Sequence, residues 1–452
     1  MPGVQEDKSY EASTSDVPTN TNNSLLSTHP TREGTRFSLF KEKQKKIPAM
    51  QGLKTIVLSS YVNVLLVFVP IGIASHFVWS PTITFIMNFL AIVPLAKLLG
   101  FATEDIALRT GEVIGGLLNA TFGNAVELII SIISLTQNLV VVVQASMLGS
   151  ILSNLLLVLG MCFWGGGYYY KEQHFNKTVA QTSASLLFIS VASLLIPASF
   201  YGSITSARSE SNEDLTQDIL RISRATSVIL LILYFSYIFF QDTQALGTSE
   251  YWEWPTIVES RDITRRPDVE GGSRQEEVEE EEEEEEEPQL PAWMAVALLI
   301  IVTALVGVCA EFLVSAIEDV TKVWHISETF VGLILLPIVG NAAEHLTAMD
   351  LALGVAVGSS MQIALLVTPL MVIIGWGMNV EMSLYFNIYE TAILFIAVIM
   401  VNYLIMDGES NWLEGLMLVA VYIVIAISFY YYPDETSAST GALPTGNTTV
   451  SS

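Results

Sequence analysis

Two stretches decide the fold: GGLLNATFGNAVELIISI (Gly115–Ile132) and PIVGNAAEH (Pro337–His345). Gly123-Asn124-Ala125-Val126-Glu127 in the first returns as Gly340-Asn341-Ala342-Ala343-Glu344 in the second. Each sets a carboxylate inside a long apolar run. An ionised side chain in hydrocarbon costs from a few to more than about 10 kcal/mol, so a run that keeps one puts it to use. Glu127 has mostly apolar residues on both sides, up to a Gln137-Asn138 turn, and therefore sits deep.

Outward from these motifs, the chain reads as a membrane protein. Of its 452 residues, 51% are hydrophobic and 15% charged, and the mean hydropathy is +0.51. Soluble domains carry nearer a quarter charged residues. Apolar runs of bilayer-crossing length are expected at about 53–78, 81–102, 111–136, 138–163, 178–200 and 225–241. After an acidic stretch they resume at about 291–318, 326–348, 350–375, 383–406 and 411–432. This predicts an all-α polytopic protein of about eleven transmembrane helices in a lipid bilayer.

A second pair of motifs shows a repeat. Gly100-Phe101-Ala102-Thr103-Glu104 precedes the first GNAxE, and Gly307-Val308-Cys309-Ala310-Glu311 precedes the second. With the first span as an N-terminal extra, each half has five spans (81–241 and 291–432). Five is odd, so the second half crosses the membrane inverted relative to the first. Inverted repeats around a midplane site are a secondary-transporter architecture.

The organisation outside the spans is polar. Residues 1–50 are expected to be a disordered cytosolic segment without a signal-peptide core, and 433–452 a disordered luminal tail with a sequon at Asn447-Thr448-Thr449. With that topology, all of the 20 lysines and arginines except Arg208, Arg221, Arg224 and Lys322 fall on the cytosolic side, as the positive-inside rule expects. Residues 242–290 form a cytosolic acidic loop or helix. Its run of Glu276, Glu277, Glu279, Glu280, Glu281, Glu282, Glu283, Glu284, Glu285, Glu286 and Glu287 reads as a solvated segment or a cation-responsive regulatory one. It accounts for much of the net charge of −26. With no basic patch, nucleic acid is not an expected partner. Cys162 and Cys309 both lie in apolar spans and read as packing residues.

The chemistry of the paired motifs suits a hard divalent cation. Calcium takes six to eight oxygens from carboxylates, amides and carbonyls. Symmetry brings Glu127 and Glu344 toward one centre, and Asn124 and Asn341, three residues earlier on the same helical faces, each offer an amide oxygen. Gly123 and Gly340 allow the helix to break and free its carbonyls. The fourth span adds Gln144, Ser146, Gly149, Ser150, Ser153 and Asn154, and the ninth Gly358, Ser359, Ser360 and Gln362. Small polar residues of this kind also pack helices without binding anything. Glu104 and Glu311, nearer the span ends, fit entry or relay points, or helix-end ion pairs. His345 and Glu390 read as packing or supporting groups. The chain has no Walker A Gly-Lys pair, no Asp-Lys-Thr-Gly and no HExxH, so neither catalysis nor a cofactor is expected.

On these motifs, with QASMLGSILSNLLLVLG (Gln144–Gly160) and DLALGVAVGSSMQIAL (Asp350–Leu365), the chain resembles the cation/proton exchanger family of the calcium/cation antiporters, and its fungal vacuolar calcium/proton exchangers in particular. The resemblance spans about residues 50–432. It implies an eleven-span fold, calcium held by the two GNAxE glutamates and their asparagines, and protons competing for those carboxylates. A cytosolic acidic helix after the sixth span is also implied, as is the membrane of the vacuole or another acidic organelle. A sodium/calcium-type exchanger, or an antiporter of another divalent cation, is the alternative transport reading. One departure stands out: Glu127 to Gly149 is 149 − 127 = 22 residues, whereas Glu344 to Gly358 is 358 − 344 = 14. The second half is short by 22 − 14 = 8 residues between Thr347 or Ala348 and Met349. That shortage leaves open a transport-defective, calcium-sensing membrane protein.

Overall fold

A computed structural model describes residues 48–110, 115, 118–119, 121–169, 173–174, 177–207, 212–247, 288–341, 352–406 and 408–432. The acidic run 276–287, Glu344, His345, and the segments 1–47 and 433–452 lie outside the described residues. Among the described residues the architecture is helical. In chain order the helices are α1 (Ala49–Leu58), α2 (Tyr61–Val78, opening as a 3-10 helix), α3 (Pro81–Thr110) and α4 (Ala125–Thr136). Next, α5 runs from Val140–Leu152 through a π segment, Ser153–Val158, into Leu159–Tyr169, and is followed by α6 (Lys177–Ala207) and α7 (Asn212–Gly247). The second half has α8 (Ala292–Ser315), α9 (Ile317–Trp324) and α10 (Glu328–Gly340). In α11, Ala352–Gln362 passes through a π segment, Ile363–Val367, into Thr368–Met378, and α12 (Ile388–Leu404) and α13 (Trp412–Tyr430) close the chain. Two-residue strands, Gln173–His174 and Glu409–Ser410, pair antiparallel and tie the α5–α6 connection to the α12–α13 connection.

Eight of these helices are long and apolar enough to cross a bilayer, nine if the bent pair α9 and α10 is one span. The helices α4 and α12, at 12 and 17 residues, fall short of that length. The boundaries differ from expectation where polar side chains intervene. The first expected span breaks at Ser59-Ser60, where Asn63 folds its amide back onto the carbonyls of Ile56 and Val57. The expected end at residue 102 moves to Thr110, and the sixth span begins as a helix at Asn212. The seventh stops at Ser315, and α9 meets α10 at a 115° bend. His325 makes that bend in the left-handed region (φ 55°), and Ser327 caps α10 by accepting from Phe330 N at 3.0 Å.

Helices α3 and α8 open the two repeats and pack together more extensively than any other described pair. They run antiparallel, because the end of α3 meets the residues that lead into α8. There Asp105 Oδ1 accepts from Gln289 N (2.5 Å) and Leu290 N (2.9 Å). Arg109 holds Asp105 Oδ2 at 3.1 Å and donates to the Leu290 carbonyl. The first helices of the halves thus cross in opposite senses, as an inverted repeat requires. One apolar cluster joins α3, α8 and the facing sides of α4 and α10. A second joins α5, α6, α7, α11, α12 and α13. The core helix is α5, whose apolar window is 83% buried, against 22% for α7, which presents Ile229, Ile232 and Phe235 outward. Cys162 and Cys309 are both free and buried.

Between the clusters, α5 and α10 touch backbone to backbone. A Cβ on Gly149 would strike the Leu333 carbonyl, and one on Gly332 would lie 2.9 Å from the Val142 carbonyl and 2.7 Å from Ala145 Cβ. The π segments recur in the two halves. One starts 153 − 149 = 4 residues after Gly149 and another 363 − 358 = 5 after Gly358, and a third, Val331–Leu335, lies inside α10. An inserted residue of this kind leaves carbonyls out of the α-helical ladder and is frequent at functional sites. Ile363 O takes both the backbone N–H and the Oγ1 hydroxyl of Thr368, the latter at 2.9 Å.

Candidate cation site

The GNAxE motifs sit where helices break. In the first half, Gly123 and Asn124 form a turn ahead of α4, with Asn124 outside helical geometry (φ −108°, ψ 24°). Glu127 follows in the first turn of α4, at the electropositive end of the helix. In the second half, α10 ends at Gly340 and Asn341 turns away (φ −82°, ψ 10°). The two breaks meet. A Cβ on Gly340 would collide with Glu127 Oε1 and stand 2.9 Å from its carboxyl carbon. Only glycine lets the first-half carboxylate lie against the second-half backbone this closely.

Around that contact the polar groups come from four helices and bond across the repeat. Asn124 Nδ2 donates to Gln362 Oε1 at 2.8 Å, and Asn124 Oδ1 accepts from Ser359 Oγ at 3.0 Å. Ser359 Oγ accepts in turn from Asn154 Nδ2 at 3.0 Å, and Asn341 Nδ2 donates to the Ser150 carbonyl at 3.3 Å. Ser360 donates to Ala356 O at 2.8 Å and lies 3.4 Å from Ile151 O. Three oxygens in this region are buried and accept nothing: Glu127 Oε2, Asn154 Oδ1 and Asn341 Oδ1. Buried acceptors left unpaired are costly. An oxygen-seeking cation supplies what they lack.

The remaining candidates lie elsewhere. Gln144 turns its amide to the carbonyls of Ser383 and Tyr385, both at 3.0 Å, and so fixes the non-helical segment before α12. Glu104 is exposed and interacts with Lys97. Glu311 is exposed at the other end of the bundle, within 3.4 Å of Gln137 Nε2. Glu390 closes a capping box at the start of α12, its side chain accepting from Asn387 N at 3.3 Å. In the sequence Asn154 reads only as one of the polar residues of the fourth span, and its partner is not foreseeable there. It stood among small polar residues of an apolar helix, and its partner Ser359 is 205 positions away. Among the described residues no three His, Cys, Asp or Glu side chains cluster, and the described oxygens around the Glu127 carboxylate belong to amides and hydroxyls.

Inverted halves with broken helices meeting at buried carboxylate and amide groups define a polytopic membrane protein of the secondary-transporter type. The chain belongs to the sodium/calcium exchanger protein family, which matches residues 80–242 and 294–431. It is 45% identical over 390 residues to the vacuolar calcium ion transporter of Schizosaccharomyces pombe, covering 84% of this chain and 87% of that one. Identity to the vacuolar calcium ion transporter of Cryptococcus neoformans var. grubii is 43% over 475 residues, covering 88% and 78%. Among solved structures, the Ca2+/H+ antiporter protein YfkE superposes with a TM-score of 0.62 at 31% identity, covering 82% of this chain and 99% of that one. The H+/Ca2+ exchanger CAX, at 13% identity and a TM-score of 0.58, shares the fold.

Proposed function

We propose that this protein is a calcium/proton antiporter of the vacuolar or another acidic endomembrane. It would move calcium from the cytosol into the lumen in exchange for luminal protons, with its N-terminus cytosolic. The observation that carries this reading is the Glu127 carboxylate against Gly340 of the opposite repeat, with Glu127 Oε2, Asn154 Oδ1 and Asn341 Oδ1 unpaired beside it. Asn124, Ser359 and Gln362 hold that arrangement in place, and Glu344, the repeat partner of Glu127, supplies the second carboxylate.

Exchange requires that calcium and protons exclude one another at the site. Carboxylates provide this, because each proton bound removes negative charge that the divalent ion needs. Alternating access then couples the downhill flow of protons to the uphill flow of calcium. In acidified vesicles carrying the full chain, calcium uptake should be fast and should stop when the proton gradient is collapsed. Glu127→Gln should abolish it. Uptake that persists without a proton gradient and follows a sodium gradient would assign a sodium/calcium exchanger instead. Calcium binding with no flux under any gradient would point to a sensor.

A further inference from the structure

Beyond Glu127, helix α4 carries two more unpaired groups. Ser131 and Ser134 are fully buried, and neither hydroxyl has a hydrogen-bond partner. Buried or lipid-facing serines in an apolar helix normally donate back to a carbonyl of the preceding turn. Several serines of the other helices do: Ser185, Ser190, Ser193, Ser199 and Ser236 each bond the carbonyl four residues earlier, at 2.7–2.9 Å, whereas Ser227 of α7, also buried, has no partner. The α4 serines are oriented otherwise.

Their positions are aligned with the carboxylate. Glu127, Ser131 and Ser134 stand at i, i+4 and i+7, within about 60° of one another around the helix. All three hold a buried oxygen without a partner. Three residues beyond Ser134 stands Gln137, the C-cap of α4, whose amide reaches Glu311 at 3.4 Å. From Glu127 to Gln137 is ten residues, about 15 Å along a helix, which is half the hydrocarbon thickness.

We infer that Ser131 and Ser134 line a polar track between Glu127 and the Gln137–Glu311 face, along which the exchanged cation and protons reach the carboxylate. The inference rests on the exchange reading above, and it assigns to this one half of the molecule a built route to one face. The hydroxyls substitute for part of the hydration shell of a passing cation. They can also accept and donate in a water-linked proton relay, since a hydroxyl both gives and takes a proton. In the proposed topology this face is the luminal one.

Two measurements on the full chain in proteoliposomes test it. Removing the two hydroxyls in Ser131→Ala/Ser134→Ala breaks no hydrogen bond, so the thermal unfolding midpoint should hold or rise. The initial rate of gradient-driven calcium uptake should nevertheless fall by about tenfold or more. Separately, Ser131→Cys and Ser134→Cys should react with a small cationic methanethiosulfonate from one membrane face only, and calcium should slow the reaction. The comparison is Ser190→Cys, equally buried but back-bonded to Leu186 O at 2.7 Å, which should stay unreactive. A double-alanine variant with the parental rate, or Ser131→Cys and Ser134→Cys as inert as Ser190→Cys, would overturn the track. If the parent shows no proton-driven uptake, the exchange reading fails, and the labelling still decides whether the track admits ions.

Discussion

At the scale of single residues, the site depends on what is missing from Gly340. Alanine there would push a methyl group into the Glu127 carboxylate, whereas Gly307, on α8, has nothing within 4 Å of an added Cβ. Gly340→Ala should therefore weaken calcium uptake by about tenfold, the effect of displacing one ligand by roughly 1.4 kcal/mol. Gly307→Ala should leave uptake unchanged. Equal effects from the two, measured as initial rates at matched protein levels, would show that the helix and not the contact sets the sensitivity. The GNAxE motifs drew notice in the sequence because a carboxylate in an apolar run is too costly to recur, with the same neighbours, by accident, and the structure brings Glu127 of the first against Gly340 of the second. The pairing of Asn154 with Ser359 and the placement of the α4 serines were not legible there. A polar residue in an apolar helix has the same appearance whether its hydroxyl or amide is bonded at home or aimed at a site, and only tertiary placement separates the two.

At the scale of elements, spans were readable from apolar run length and their ends were not. Lysine and arginine stems, serine back-bonds and caps such as Ser327 move a helix end by several residues without altering mean hydropathy. The extension of α3 to Thr110 comes from the Asp105–Arg109 pair, four residues apart, finding the chain near Leu290. The meeting of α5 and α10 was likewise invisible, because a glycine in a transmembrane helix gives no hint of which backbone approaches it. Gly149→Ala should force these helices apart and destabilise the protein by about 1–3 kcal/mol. A lowered unfolding midpoint in detergent would register it, and an unchanged midpoint would mean that α10 yields easily. The eight-residue deficit after Glu344 belongs to this scale too. Five residues separate Glu344 from Asp350, about 7.5 Å of helix, where a midplane glutamate needs roughly 15 Å to the interface. Inserting eight residues between Ala348 and Met349, apolar with a polar turn, should raise calcium uptake. Equal uptake by both forms would show that the short half-site assembles as it stands.

At the scale of the molecule, the two halves are joined by the chain through residues 248–287 and, independently of it, by contacts between their helices. Among those contacts, the Asp105–Arg109 pair grips the backbone of Gln289 and Leu290, backed by the α3–α8 interface and by α1, where an added Cβ on Gly52 would lie 2.7 Å from Met294 Sδ. Asp105 is 3% exposed, and losing one member of a buried pair costs about 3–5 kcal/mol. The covalent connection is therefore dispensable for recognition. Residues 1–247 and 288–452, made as separate polypeptides in one cell, should find each other, copurify and restore calcium uptake. The same pair with Asp105→Ala should copurify in lower yield, the other contacts between the halves remaining. If the intact-sequence halves fail to copurify, the tether and not the grip holds the repeats together. A working pair would make this chain, in its assembly chemistry, a heterodimer that happens to be encoded as one polypeptide.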